Sequence, residues 1–143
     1  MPNSTRFLII EDNPDDENLL LRQLKRAQLA DKVKVINDGE RALDYLRSPK
    51  NKAENLVAIF LDLKLPLRSG MEILEDIRAN ERLLNIPVIL MTSSNAQEDL
   101  DRCRELGVSA YVQKPVSFTA FAKAVADTSL KRIPAETTVT TSE

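Results

Sequence analysis

Phe7-Leu8-Ile9-Ile10-Glu11-Asp12-Asn13-Pro14-Asp15-Asp16 runs from four consecutive apolar residues through two acids into a helix start. An apolar run without alternation suits a strand covered on both faces of a parallel sheet. Asn13 offers an N-cap, Pro14 a first-turn proline, and Asp15 and Asp16 negative charge against the positive helix end. Leu20, Leu24 and Ala27 then recur at helical spacing. The unit is a strand, an acidic tip and a helix.

The same unit recurs along the chain. Val57–Leu61 and Val88–Met91 are two more short apolar runs that read as central strands. Lys32-Val33-Lys34-Val35 alternates polar with apolar and Ala110-Tyr111-Val112 is very short, so both read as edge strands. Helical patterns lie between them. One follows Asp38-Gly39 through Ala42, Leu43 and Leu46. Ser69-Gly70-Met71-Glu72 is a capping-box pattern ahead of Ile73, Leu74 and Ile77. Asn95 precedes a helix with Leu100, Cys103 and Leu106 on one face and Gly107 as its stop. Ser117 starts the last, which carries Phe118, Phe121, Ala122 and Val125. Five βα units with strands one, three and four in the middle imply a doubly wound α/β sheet of order 2-1-3-4-5. Pro49 to Asn55 reads as an irregular polar connection. The Thr-rich end is expected to be a flexible tail over residues 132–143, leaving one domain over 5–131.

Bulk properties narrow the function. The chain has 143 residues, 43% hydrophobic and 29% charged, with a formal net charge of −2. A mixed, near-neutral charge does not favour nucleic acid or membrane as partner. No apolar stretch is long enough to cross a bilayer and no signal peptide is evident. Cys103 is the only cysteine, so no internal disulfide can form. A cytoplasmic location is the expectation. The chain has no histidine, which removes His-dependent triads and His metal sites. Chemistry must rest on carboxylates, hydroxyls and lysines.

Open α/β sheets bind ligands beyond the carboxyl ends of their strands, near the switch in strand order. Glu11, Asp12 and Asp62 stand just past strands one and three, on that switch. Three converging carboxylates repel unless protons or a cation offset them. An all-oxygen ligand set points to Mg²⁺ rather than Zn²⁺. Thr92 and Lys114 stand at the ends of strands four and five. A hydroxyl and an ammonium beside a carboxylate–metal site suit phosphoryl transfer, with an aspartate as nucleophile. Asp62, alone at the end of the middle strand, fits that role best. Taken singly, Glu11 and Asp12 could cap a helix, Thr92 could be an N-cap and Lys114 a solvated lysine. Their coincidence at four of five strand ends favours a shared site.

Glu11-Asp12, Asp62 with Leu65-Pro66, Gly70, Thr92 and Lys114-Pro115 resemble the signature of response-regulator receiver domains, over about residues 6 to 130. The resemblance implies a flavodoxin-like fold, with Asp62 as phosphoacceptor and a histidine kinase as donor. It implies Mg²⁺ held by Asp12 and Asp62 directly, by Glu11 through a water and by the Lys64 backbone carbonyl. Thr92 and Lys114 would hold the phosphoryl oxygens. Tyr111 would turn inward as Thr92 moves, although a half-exposed edge-strand tyrosine reads the same way. Lys64 and Ser94 would tune hydrolysis, and a cis bond before Pro115 would aim Lys114. Within the family, Asn13 to Asp16, Asp62 to Pro66, Thr92-Ser93-Ser94 and Lys114-Pro115-Val116 look closest to stand-alone regulators of bacterial phytochromes. That adds a light-sensing kinase as partner and, often, a homodimer.

The implied output is a contact with a downstream protein, a phosphorelay step to a phosphotransfer partner, or dimerisation, through a switch in the face of the fourth helix, fifth strand and fifth helix, and not an enzymatic activity. A metal-dependent phosphohydrolase would usually place an aspartate two residues after its nucleophile, where this chain has Lys64. A silent interaction module would usually have lost an acid or the lysine. A nucleotide-binding loop is disfavoured, since Gly39, Gly70 and Gly107 are the only glycines.

Overall fold

The computed structural model describes residues 5–63, 65, 69–92, 97–114 and 116–132, with the side chains of 92, 97–100 and 128–132 left aside. Strands β1 (Phe7–Ile10), β2 (Val33–Ile36), β3 (Ala58–Asp62), β4 (Val88–Thr92) and β5 (Ala110–Gln113) alternate with five helices. These are α1 (Pro14–Arg26), α2 (Gly39–Arg47), α3 (Gly70–Ala79), α4 (Gln97–Glu105) and α5 (Phe118–Arg132). The strands form one parallel sheet in the order β2-β1-β3-β4-β5. β2 and β5 lie at the edges, as their composition implies.

Alternation along each strand divides the core in two. Leu8, Ile10, Ile59, Leu61 and Leu90 point to one face, against Leu43, Leu46, Ile73, Leu74, Ile77 and Cys103. Phe7, Ile9, Phe60, Ile89 and Met91 point to the other, against Leu20 and Leu24 of α1 and Phe121 of α5. Burial of each such side chain contributes about 1.5–3 kcal/mol. Phe121 stacks on Phe60 at 4.4 Å and meets Phe7 edge-on at 5.4 Å. Two helices therefore cover one face and three the other, and the carboxyl ends of the strands stay open.

The helix ends follow their sequence signals. Asn13 accepts from the Asp15 and Asp16 amides, and Ser69 with Glu72 closes the capping box. Gly107 follows α4 with φ +82°, a left-handed conformation that glycine adopts at no steric cost.

Some local expectations need correction. Asp62 is the last residue of β3, paired with Met91, rather than a residue beyond the strand. β2 starts at Val33 and ends at Ile36. On α5 Ala122 is exposed, and Ala124 takes the core place expected of it. Residues 49–55 form two 3₁₀ turns that bury Ala53 completely, because Lys52 adopts φ +55° between them. α5 reaches Arg132, one residue past the expected domain boundary. The rest of the Thr-rich end, with Asn95, Ser94, Lys64, Pro66 and Pro115, lies outside the described residues. No helix among the described residues is long and apolar enough to cross a membrane.

Candidate functional site

Parallel pairing of β1 with β3 in register, Ile10 opposite Leu61, brings the residues after both to one level. Glu11, Asp12 and Asp62 each offer a carboxylate oxygen, all within 4.8 Å of one another. Glu11 and Asp62 are buried, at 2% and 4% exposure, while Asp12 faces solvent. Lys114 reaches over from the end of β5. Its ammonium lies 2.7 Å from Asp62 Oδ2, 2.9 Å from Glu11 Oε1 and 3.2 Å from Asp16 Oδ2.

Asp16 is the residue that sequence reasoning missed. Read along the chain it is a first-turn acid that complements the helix end. Its backbone N–H donates to the Asn13 cap, and its carboxylate meets the Lys114 ammonium. A second overlooked residue is Asn37, just after β2. Its Nδ2 donates to the Glu11 carbonyl at 2.9 Å and to Glu17 Oε1 at 2.8 Å. The Glu11 amide donates to the Ile36 carbonyl at 3.0 Å, so the edge strand grips the acidic loop from both sides. Only an asparagine directly after a strand could have hinted at this.

Four carboxylates and one ammonium leave this group at −3 if all are ionised (four negative, one positive). The electrostatics reflect that excess. Burial pushes the Glu11 carboxyl up to about 7, against the opposing pull of Lys114. Burial alone would lower Lys114, but its hydrogen bonds to Asp62 and Glu11 outweigh this and raise it above the ordinary lysine value. The lysine is thus a permanent cation at neutral pH.

The donor set is all oxygen, with no nitrogen or thiolate, and fits a hard divalent cation. Glu11, Asp12 and Asp62 are the residues placed to hold one.

Gly70 explains how α3 can begin so close to this site. A Cβ there would lie 2.3 Å from the Asp62 carbonyl oxygen and 2.6 Å from the Leu63 Cα. Its amide instead donates to the Leu63 carbonyl at 2.9 Å. The close packing ties the start of α3 to the strand end that carries Asp62.

Of the remaining expected residues, Thr92 ends β4 beside Asp62, with its side chain outside the described residues. Lys64, expected to contribute a backbone carbonyl, and Ser94 lie outside them too, as does the bond before Pro115. Tyr111 on β5 is 36% exposed.

A family model described as the response regulator receiver domain matches residues 7–126. The structure resembles that of the bacteriophytochrome response regulator AtBRR, with TM-score 0.76 and 42% identity, covering 90% of this chain and 94% of that one. The probable methanogenesis regulatory protein FilR2 of Methanothrix harundinacea is 37% identical over 113 residues, 78% of this chain and 73% of its own. The response regulator Rcp1 of Synechocystis sp. is 33% identical over 111 residues, 76% of this chain and 75% of its own. The Mn²⁺-bound structure of Rcp1 matches with TM-score 0.71 and 28% identity, over 92% of this chain and 99% of that one.

Proposed function

Since the chain belongs to the response-regulator receiver family, matched over residues 7–126, we propose that it accepts a phosphoryl group from a histidine kinase on Asp62. The observation that carries this reading is the Lys114 ammonium bridging Asp62 and Glu11 within an anionic pocket.

Each residue of the site has a part in the transfer. A carboxylate oxygen of Asp62 attacks the phosphorus of a phosphohistidine. The P–N bond breaks, its electron pair stays on the imidazole, and an acyl phosphate remains on Asp62. Lys114, already 2.7 Å from Asp62 Oδ2, needs only a small shift to pair with the transferred oxygens and neutralise their charge. Thr92 would donate its hydroxyl to another of those oxygens. Asp12 and Asp62 would hold Mg²⁺ directly, with the Lys64 backbone carbonyl, and Glu11 would act through a water. When bound, the ion supplies charge neutralisation that the single lysine cannot. The Mn²⁺-bound form known for Rcp1 supports a divalent cation of this kind.

Similarity to AtBRR, a bacteriophytochrome response regulator, supports a phytochrome-type kinase as the partner. The output in this reading is a change in the face built by α4, β5 and α5, where Tyr111 now stands exposed. That face would then meet a downstream protein or a second copy of the chain. The protein acts as a switch that takes up and releases its own phosphoryl group.

Incubation with acetyl phosphate and Mg²⁺, followed by intact mass, tests the core of the proposal. Wild type should gain one labile phosphoryl group and Asp62→Asn none. Labelling that survives Asp62→Asn would sink the assignment.

A further inference from the structure

The tip of Lys114 is placed by Glu11, Asp16 and Asp62, but its aim depends on the backbone that carries it. β5 ends at Gln113, so Lys114 already lies outside the ladder. The next tie comes from α1. Gln23 Nε2 donates to the Val116 carbonyl at 3.0 Å, and the Phe118 amide donates to Gln23 Oε1. One side-chain amide thus pairs with a carbonyl and with the N–H two residues later, as a neighbouring strand would. Phe118 opens α5, so its N–H has no partner within the helix.

Gln23 follows Asp16 by seven residues, two helical turns, so both sit on one side of α1. That helix therefore grips the Lys114 segment at two points. Asp16 meets the ammonium, and Gln23 holds the backbone just beyond it. The carboxylates are anchored separately, Asp62 by the β3 ladder and Glu11 by Ile36 and Asn37.

We infer that Gln23 is a positioning residue for phosphoryl transfer, its amide clamp on Val116 and Phe118 fixing the backbone that aims Lys114 at Asp62. The inference rests on the phosphoacceptor reading above. Gln23 touches no reacting atom and acts only through the lysine. Its loss should therefore separate metal binding, which the carboxylates perform, from the rate of transfer.

Gln23→Met keeps the length and bulk of the side chain without either hydrogen bond. Ser117→Ala removes the neighbouring cap of α5, the Oγ that accepts the Ala120 amide at 3.0 Å, and leaves the clamp alone. For both, three quantities are measured: the rate of phosphorylation by acetyl phosphate at saturating Mg²⁺, the Mg²⁺ affinity by calorimetry, and Tm. Gln23→Met should slow phosphorylation about tenfold, on the scale of a small misplacement of a reacting group. Its Mg²⁺ Kd should stay within about twofold of wild type. Ser117→Ala should lower Tm and keep the rate. Gln23→Glu, which retains the acceptor for Phe118 and loses the donor to Val116, should recover part of the rate. If Gln23→Met does not fold, the Glu variant decides by itself, and a wild-type rate there overturns the inference. A wild-type rate in a folded Gln23→Met overturns it too. So does equal slowing in Ser117→Ala, or a loss of Mg²⁺ affinity in step with the rate. A wild-type protein that takes up no phosphoryl group overturns the proposed function and this inference together.

Discussion

Glu11 has the most to lose from its surroundings. It is almost fully buried beside another carboxylate, and burial lifts it from the ordinary value of 4.5 to about 7. A raised carboxyl means that the folded protein holds a proton that the unfolded chain has released. The associated stability is fully present below about 4.5 and is lost as pH rises through about 7. Lys114 is shifted upward from an already high value, so its own loss falls well above that window. In chelator, the Tm of the metal-free protein should fall as pH rises from about 4.5 through about 7, and Glu11→Gln should flatten that slope. The full effect is on the order of 3 kcal/mol, from a shift of this size at about 1.4 kcal/mol per unit. A slope unchanged in Glu11→Gln, followed by thermal melts in both buffers, would assign the pH dependence elsewhere.

Elements meet this site through a few close approaches and anchors. The start of α3 is pressed onto the end of β3, with no room for a Cβ at Gly70. Gly70→Ala must push α3 or Asp62 aside. We expect a loss of about 1–3 kcal/mol in urea unfolding, the usual range for overpacking, together with slower phosphorylation of Asp62. Wild-type stability and rate in that variant would mean that α3 can shift freely. Arg78 anchors the opposite, amino-terminal ends of β4 and β5. Its guanidinium donates to the carbonyls of Leu84 at 2.7 Å, Leu106 at 2.8 Å and Gly107 at 3.0 Å, joining α3 to the turns before β4 and β5. Burial lowers its pKa from the ordinary arginine value, yet it stays charged. Arg78→Met should cost about 3 kcal/mol or more, since charged hydrogen bonds are the stronger kind and several carbonyls lose their donor at once. Urea unfolding reads this directly, and a loss under about 1 kcal/mol would show that water replaces the guanidinium without penalty.

At the scale of the whole molecule, the open end of the sheet gathers more negative charge than its lysine can balance. A divalent cation should therefore stabilise the fold. At about a hundredfold excess over Kd the gain is about 2.7 kcal/mol, seen as a rise in Tm. Asp12→Asn should abolish most of that rise while leaving the metal-free Tm little changed, because Asp12 is exposed. A Tm indifferent to Mg²⁺ in wild type would count against the cation site. Much of this arrangement was legible along the chain. Unbroken apolar runs marked β1, β3 and β4 as central, and the N-caps at Asn13 and Ser69 lie where their residue types imply. The acids and the lysine at strand ends could be assembled into one site because the topology of a parallel sheet follows from such patterns. Asp16, Gln23 and Asn37 could not be read in the same way. Their side chains make bonds to partners 98, 93 and 26 residues away in sequence. Local patterning carries the periodicity that buries a face, so strands, helices and their order were settled by the sequence itself. Which polar group meets which across the fold depends on how helices seat against the sheet, and only tertiary packing decided that.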